Sequence, residues 1–339
     1  MSHNYQRLLK KQLEWFLSPK SLGLEKVDGL HAPKEQAQLI LESYKQLIAH
    51  SKPCRINAQL TSVDRKNESD VQFKGSSYLR PVDELILWAR KNLQDYVLIF
   101  WIHGSIASDD YVVGWSDLDT YIVVKESTIL DSSKLCKLRE LLLIGYNYLL
   151  EVDPLQHHGF LTCSEFDLDN YLPGYLPIDV LRNSIQVFGP DTVDFNVCSV
   201  TKNTKILPSI KELLEKSVKT GIFKHHPLAG VYLHENYQND QNSMYQMKNF
   251  ISLVNILPIY YYNDKGVECE KKDSFSMIYD EHIHNLDLLR LTSDIRLRWE
   301  KEEEHPYKGN HVPHWLKEML GMDYFSRTLK LVNELIRNT

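Results

Sequence analysis

The chain has 339 residues, more than one typical domain holds, so two or three modules are expected. Apolar residues make up 43% and charged residues 25%, which is ordinary for a globular protein, and the net charge of −6 argues against a broad basic face tracking long nucleic acid. The five cysteines are scattered and show no C-x-x-C, which argues against a disulfide frame or a zinc site.

The first residues, MSHNYQRLLKKQLEWFL, are basic and amphipathic and lack the apolar core of a secretion signal. Their apolar spacing predicts a helix over 4–17, and that of Ala37, Leu39, Ile40, Tyr44 and Leu47 a second over 34–50. Gly23, Gly29 and Pro33 mark the loop between them. Ile56 to Leu60 suggests a short strand. Pro81, followed by Asp83 and Glu84, opens a helix whose apolar face is Leu85, Leu87, Trp88 and Leu93.

Val97 to Ile102 is an apolar run of strand length. A tight corner follows at His103-Gly104-Ser105, and after a polar spacer comes Ser116-Asp117-Leu118-Asp119, leading into a strand over 117–125. Asp131 caps a long helix over about 132–151. Leu155 to Cys163 suggests a third strand, Glu165 to Asp169 and the following YLPGYLP a surface or lid-like stretch, and Ile185 to Phe188 a short strand before Gly189. Beyond about residue 200 the pattern turns helical, with candidates at 206–220, 228–236, 240–262, 273–283, 285–299 and 313–337. The greasiest stretch, Phe250 to Tyr262, is broken by Asn255 and Pro258 and falls short of the about 20 apolar residues that span a bilayer. A soluble, cytoplasmic protein without membrane association is expected.

Side chains alternate faces along a strand, so Asp117 and Asp119 point the same way and Leu118 and Thr120 the other. Two carboxylates on one face repel each other and resist desolvation. Such a pair persists where a cation or strong donors satisfy it. An isolated Asp-x-Asp is more often a solvated strand entry. Joined to Gly104-Ser105 between two strand-like runs, it resembles the DNA polymerase beta-like nucleotidyltransferase superfamily, over residues 82 to 190.

The resemblance implies an α/β (α+β) nucleotidyltransferase fold: a mixed sheet flanked by helices, in residues 81–200. Residues 1–80 would be a mostly helical N-terminal extension and 201–339 an all-α C-terminal domain closing over the acceptor. It implies transfer of NMP, AMP being the expected group, from an NTP (ATP first) to a hydroxyl of a small-molecule acceptor, releasing pyrophosphate. Asp117 and Asp119 would hold Mg²⁺ or Mn²⁺, which takes one or two carboxylates plus phosphate oxygens. Gly104 would let backbone approach the phosphates, and Ser105 and Ser116 would border the nucleotide.

The superfamily's third carboxylate sits on the strand after the long helix, where this chain has Gln156-His157-His158-Gly159. Asp153 lies just before that stretch and Asp179 well after it. Only one of the adjacent histidines can face a cleft. His158 is favoured because Gly159 would leave room for a ligand. It would act as general base on the acceptor hydroxyl or bind metal or phosphate. Lys248, on a helical stretch with Phe250 and Leu253, is a candidate to reach the triphosphate, although such a lysine is more often solvated. Glu165, Asp167 and Asp169 are candidates to bind a cationic acceptor. Two rival readings are a toxin-like enzyme acting on tRNA or protein and a catalytically weak nucleotide-binding module.

Overall fold

Amphipathic helices flanking β-branched strands call for a layered α/β unit, in which each helix buries its apolar stripe against one face of a sheet. The computed structural model describes residues 3–19, 32–51, 58–64, 66–67, 78–153, 156, 159–172, 175–176, 178–198, 206–223, 231–232, 243–267, 269, 271–301, 315–316 and 321–339. The elements begin with α1 (His3–Leu17), α2 (Pro33–His50), β1 (Ala58–Asp64), β2 (Lys66–Asn67), α3 (Arg80–Asn92), β3 (Val97–His103) and α4 (Gly104–Ala107). They continue with β4 (Asp119–Val124), α5 (Glu126–Ile129), α6 (Ser132–Val152), β5 (Leu161–Ser164), α7 (Glu165–Asp169), α8 (Ile178–Arg182), β6 (Ile185–Phe188) and β7 (Thr192–Cys198). The remainder is α9 (Leu207–Thr220), β8 (Ile222–Phe223), β9 (Val231–Tyr232), α10 (Ser243–Asp264), α11 (Lys271–Ile278), α12 (Asp287–Lys301) and α13 (Met322–Arg337).

The chain divides into two units, one of residues 1–111 and 116–201, the other of 112–115 and 202–339. In the first, a mixed sheet has the order β2-β6-β3-β4-β5. Strand β3 runs antiparallel to both β6 and β4, and β4 runs parallel to β5. The long helix α6 makes the crossover between β4 and β5, as a parallel pair requires. Asp131 caps α6, accepting from the backbone N–H groups of Ser133 at 2.9 Å and Lys134 at 3.1 Å.

Residues of β3 and β4, with Leu118 just before β4, divide between two cores. Phe100, Ile102, Leu118, Ile122 and Val124 pack with the apolar faces of α1, α2, α3 and α6. Ile99, Trp101, Tyr121 and Val123 pack on the other side with Tyr171, Leu172, Leu181, Val193 and Phe195. Sheet residues buried on both sides explain the near-continuous apolar runs of these strands.

The second unit is mainly helical. Its core holds Phe250 stacked on Phe325 at 3.7 Å, with Phe223 against both rings. Trp115 meets Trp299 edge-on at 4.9 Å. Among the described residues no helix is long and apolar enough to cross a membrane.

Several expectations need correction. The short strand suggested at 56–60 is β1, at 58–64, which pairs antiparallel with β7 over its whole length, and α1 and α2 are packed in the same core as α6. The C-terminal unit is not all-α, because β8 and β9 pair antiparallel; Val231 and Tyr232 therefore lie in a strand within the helix expected over 228–236, whose other residues lie outside the described ones. The acidic stretch 165–169 is no lid. It forms α7, with Asp167 fully buried, and Tyr171, Leu172 and Tyr175 are buried after it. The third strand starts at Leu161 rather than Leu155, so Gln156 and the histidine pair precede it.

Candidate functional site

Strand β3 ends at His103, and the chain turns at Gly104 into the single turn of α4. Gly104 has φ +74°, the left-handed region where a side chain is strained. A Cβ there would overlap Oδ2 of Asp119 and lie 3.1 Å from its Cγ. The missing side chain is therefore the space in which the Asp119 carboxylate sits against the backbone of the Gly-Ser corner.

Asp119 opens β4 opposite His103 in the antiparallel ladder, so the two side chains share a face of the sheet. His103 is buried and Asp119 half-buried. Asp117 precedes the strand and is half-buried as well, whereas Leu118 and Thr120 are fully buried. The burial alternation thus begins before the ladder itself. It puts Asp119 on the side of Tyr121 and Val123, opposite Leu118 and Ile122, while Asp117 precedes the strand.

The approach to the pair is pinned by backbone contacts. Tyr78 donates its hydroxyl to the Ser116 carbonyl at 2.8 Å, and its ring stacks on Tyr111 at 5.7 Å. Ser116 is buried. The Ser105 carbonyl accepts from the Asp110 N–H at 3.0 Å and closes the loop after α4. The Leu118 backbone is held by the side chain of Gln156, whose Oε1 lies 3.2 Å from the Leu118 nitrogen.

The structure brings together Gly104, Ser105, Ser116, Asp117 and Asp119 within the first unit. Lys248 belongs to α10 of the second unit, where it is buried rather than solvated. His157 and His158 lie outside the described residues, as does the Asp179 side chain. Gly159 itself lies beside the end of α1, where a Cβ would stand in ordinary contact, 3.4 Å from Pro19 Cδ and 3.5 Å from Ser18 Cβ. Asp153, the other acid near that position, is fully buried at the end of α6.

Of the three acids suggested for a cationic acceptor, Asp167 is fully buried, Glu165 half-buried and Asp169 exposed. Asp167 accepts from Gln6 Nε2 at 2.8 Å, Tyr175 OH at 3.0 Å, and the Ser164 backbone N–H and hydroxyl at 2.9 and 2.7 Å. Glu165 accepts from the Glu126 N–H, and Asp169 from the Asn196 side chain. Beside Asp167, burial pushes the Cys163 thiol up to about 12, with neighbouring Lys10 opposing. This polar cluster joins α1 to β5 and α7 and is architectural.

Among the described residues no group of three or more His, Cys, Asp or Glu could hold a metal. A pair of carboxylates is nonetheless the protein share of a typical Mg²⁺ site, the rest being phosphate oxygens and water. The donor chemistry of Asp117 and Asp119 and the side-chain-free corner at Gly104 fit such an ion carried on a nucleotide.

Sequence reasoning passed over His103 and Gln156. A histidine ending an apolar strand is a weak signal for the first. For the second there was none, because its partners are backbone atoms. Comparisons with family models, curated proteins and solved structures found no match for this chain.

Proposed function

We propose that the chain is a metal-dependent nucleotidyltransferase that transfers NMP, AMP foremost, from an NTP to a hydroxyl of a small-molecule acceptor. The observation that carries this reading is the Asp119 carboxylate seated on the Gly104 corner, with the half-buried Asp117 two residues before it at the strand entry. Three features support it: paired hard-oxygen donors, a carboxylate held against the backbone of a glycine with positive φ, and a rigid sheet underneath.

In the reaction the acceptor oxygen bonds to the α-phosphorus, the bond from that phosphorus to the β-phosphate bridging oxygen breaks, and pyrophosphate leaves. The hydroxyl proton passes to a base. Bound Mg²⁺ or Mn²⁺ would neutralise triphosphate charge and acidify the attacking hydroxyl. Asp117 and Asp119 would hold the ion, and the Gly104-Ser105 backbone would border the phosphates. Such catalysis is mostly positioning and charge neutralisation, so rigid placement of two carboxylates is the main demand on the fold.

The test is pyrophosphate release from each α-labelled NTP with Mg²⁺ and a panel of hydroxyl acceptors, compared between wild type and Asp117→Ala/Asp119→Ala. Release lost in the double variant is expected. Equal turnover by both proteins removes the aspartates from the mechanism. Label transferred to tRNA or protein instead of the small acceptors would redirect the substrate assignment.

A further inference from the structure

We propose that Gln156 is a positioning residue for the Asp117–Asp119 pair, a role that rests on the nucleotidyltransferase reading above. Its Oε1 accepts from the Leu118 N–H at 3.2 Å, and its Nε2 donates to the Leu118 carbonyl at 3.3 Å. Leu118 is the residue between the two carboxylates. Its N–H belongs to the peptide shared with Asp117, and its C=O to the peptide shared with Asp119. One carboxamide therefore grips both peptide planes that separate the acids. Rotation of those planes is what would change the distance and angle between the two carboxylates.

The sheet does not supply this restraint. Pairing of β4 with β3 ends at His103–Asp119, and pairing of β4 with β5 starts only at Tyr121–Leu161. Leu118 lies beyond both ladders, and Gln156 takes the place of the strand that is missing there. Gln156 is itself held firmly. It is buried, its N–H donates to the Asp153 carbonyl at 2.9 Å, and its carbonyl accepts from Tyr146 OH at 2.9 Å. The chemistry is specific to an amide, with an acceptor and a donor on one planar group. A glutamate would turn an acceptor toward the Leu118 carbonyl and add a third negative charge near the pair.

The test is Mn²⁺ titration followed by electron paramagnetic resonance, with α,β-methylene-ATP as the nucleotide probe, well below the unfolding temperature. The full chain is compared with Asp117→Ala/Asp119→Ala, Gln156→Met, Gln156→Glu and Gln6→Met. Gln6 is the control: it is another buried glutamine of the same unit, donating to Asp167 and to the Asn170 carbonyl. Wild type is expected to bind Mn²⁺ and the double aspartate variant to lose it. Both Gln156 variants are expected to weaken Mn²⁺ binding roughly ten- to hundredfold, as loss of an outer hydrogen bond to a metal site does. Gln6→Met should keep the wild-type Kd while losing comparable thermal stability. Wild-type Kd in both Gln156 variants, or an equal loss in Gln6→Met, overturns the role of Gln156 and leaves the aspartate reading standing. Absence of Mn²⁺–nucleotide binding by wild type, or binding indifferent to the aspartates, overturns both.

Discussion

The carboxylate of Asp119 occupies the volume that a side chain on Gly104 would need, with Cγ only 3.1 Å from where that Cβ would stand. Two residues fifteen positions apart are thus matched in shape, one by having no side chain and the other by filling the gap. The β3–β4 ladder, which pairs His103 with Asp119, sets this contact.

Gly104→Ala should therefore act twice. The left-handed backbone costs a non-glycine residue about 1–2 kcal/mol, and the methyl must push Asp119 aside. We expect a lowered Tm together with a roughly hundredfold fall in pyrophosphate release, as displacement of a reacting group by about 1 Å produces. Unchanged turnover would show that the position of Asp119 does not matter to activity.

Tyr78→Phe removes the hydroxyl that meets the Ser116 carbonyl and leaves the stacking on Tyr111 intact. The expected loss in urea unfolding is about 1 kcal/mol. The segment entering Asp117 loses one of its anchors, so Mn²⁺ affinity should fall in the same direction as in the Gln156 variants, and less.

Asp167→Ala strips a buried acceptor from four donors, those of Gln6, Tyr175 and both groups of Ser164. A destabilisation of about 3 kcal/mol or more is expected, because buried donors are left unsatisfied. Mn²⁺ binding by the folded fraction should be unchanged. A selective loss of metal or nucleotide binding would show that α7 takes part in the site.

Cys163 gives a pH dependence with a definite sign. Burial raises its thiol from 9.0 to about 12, so the folded state keeps the proton that the unfolded chain releases. Its contribution is fully present below about pH 9 and is lost as pH climbs toward 12. Within that window the slope for one proton is about 1.4 kcal/mol per pH unit. Cys163→Ala should flatten the fall of stability above pH 9, measured by denaturant titration at stepped pH. Native protein at pH 8 should also resist thiol labelling at this position, and the unfolded chain should react.

Local pattern carried much of the architecture. Apolar spacing marked α1, α2, α3, α6 and α9 to within a residue or two, and the Asp131 cap and Pro81 start needed only neighbouring residues to be read. The Gly104-Ser105 corner and the strand that follows Asp117 were legible for the same reason, whereas the seating of Asp119 against Gly104 waited for the β3–β4 ladder. What failed to show was carried across the chain. Strand β7 pairs with β1, more than a hundred residues earlier. Asp167 looks like a surface acid until Gln6, brought from α1, covers it. Lys248 looks solvated in sequence but is buried in the folded chain. Gln156 had no visible role at all, since a side chain bonded to a backbone N–H and C=O depends on where the partner's chain runs and not on which residue stands there. Periodicity and capping are local energies, written residue by residue; burial and backbone satisfaction are set by whatever the folded chain places alongside, and they exist only once it has done so.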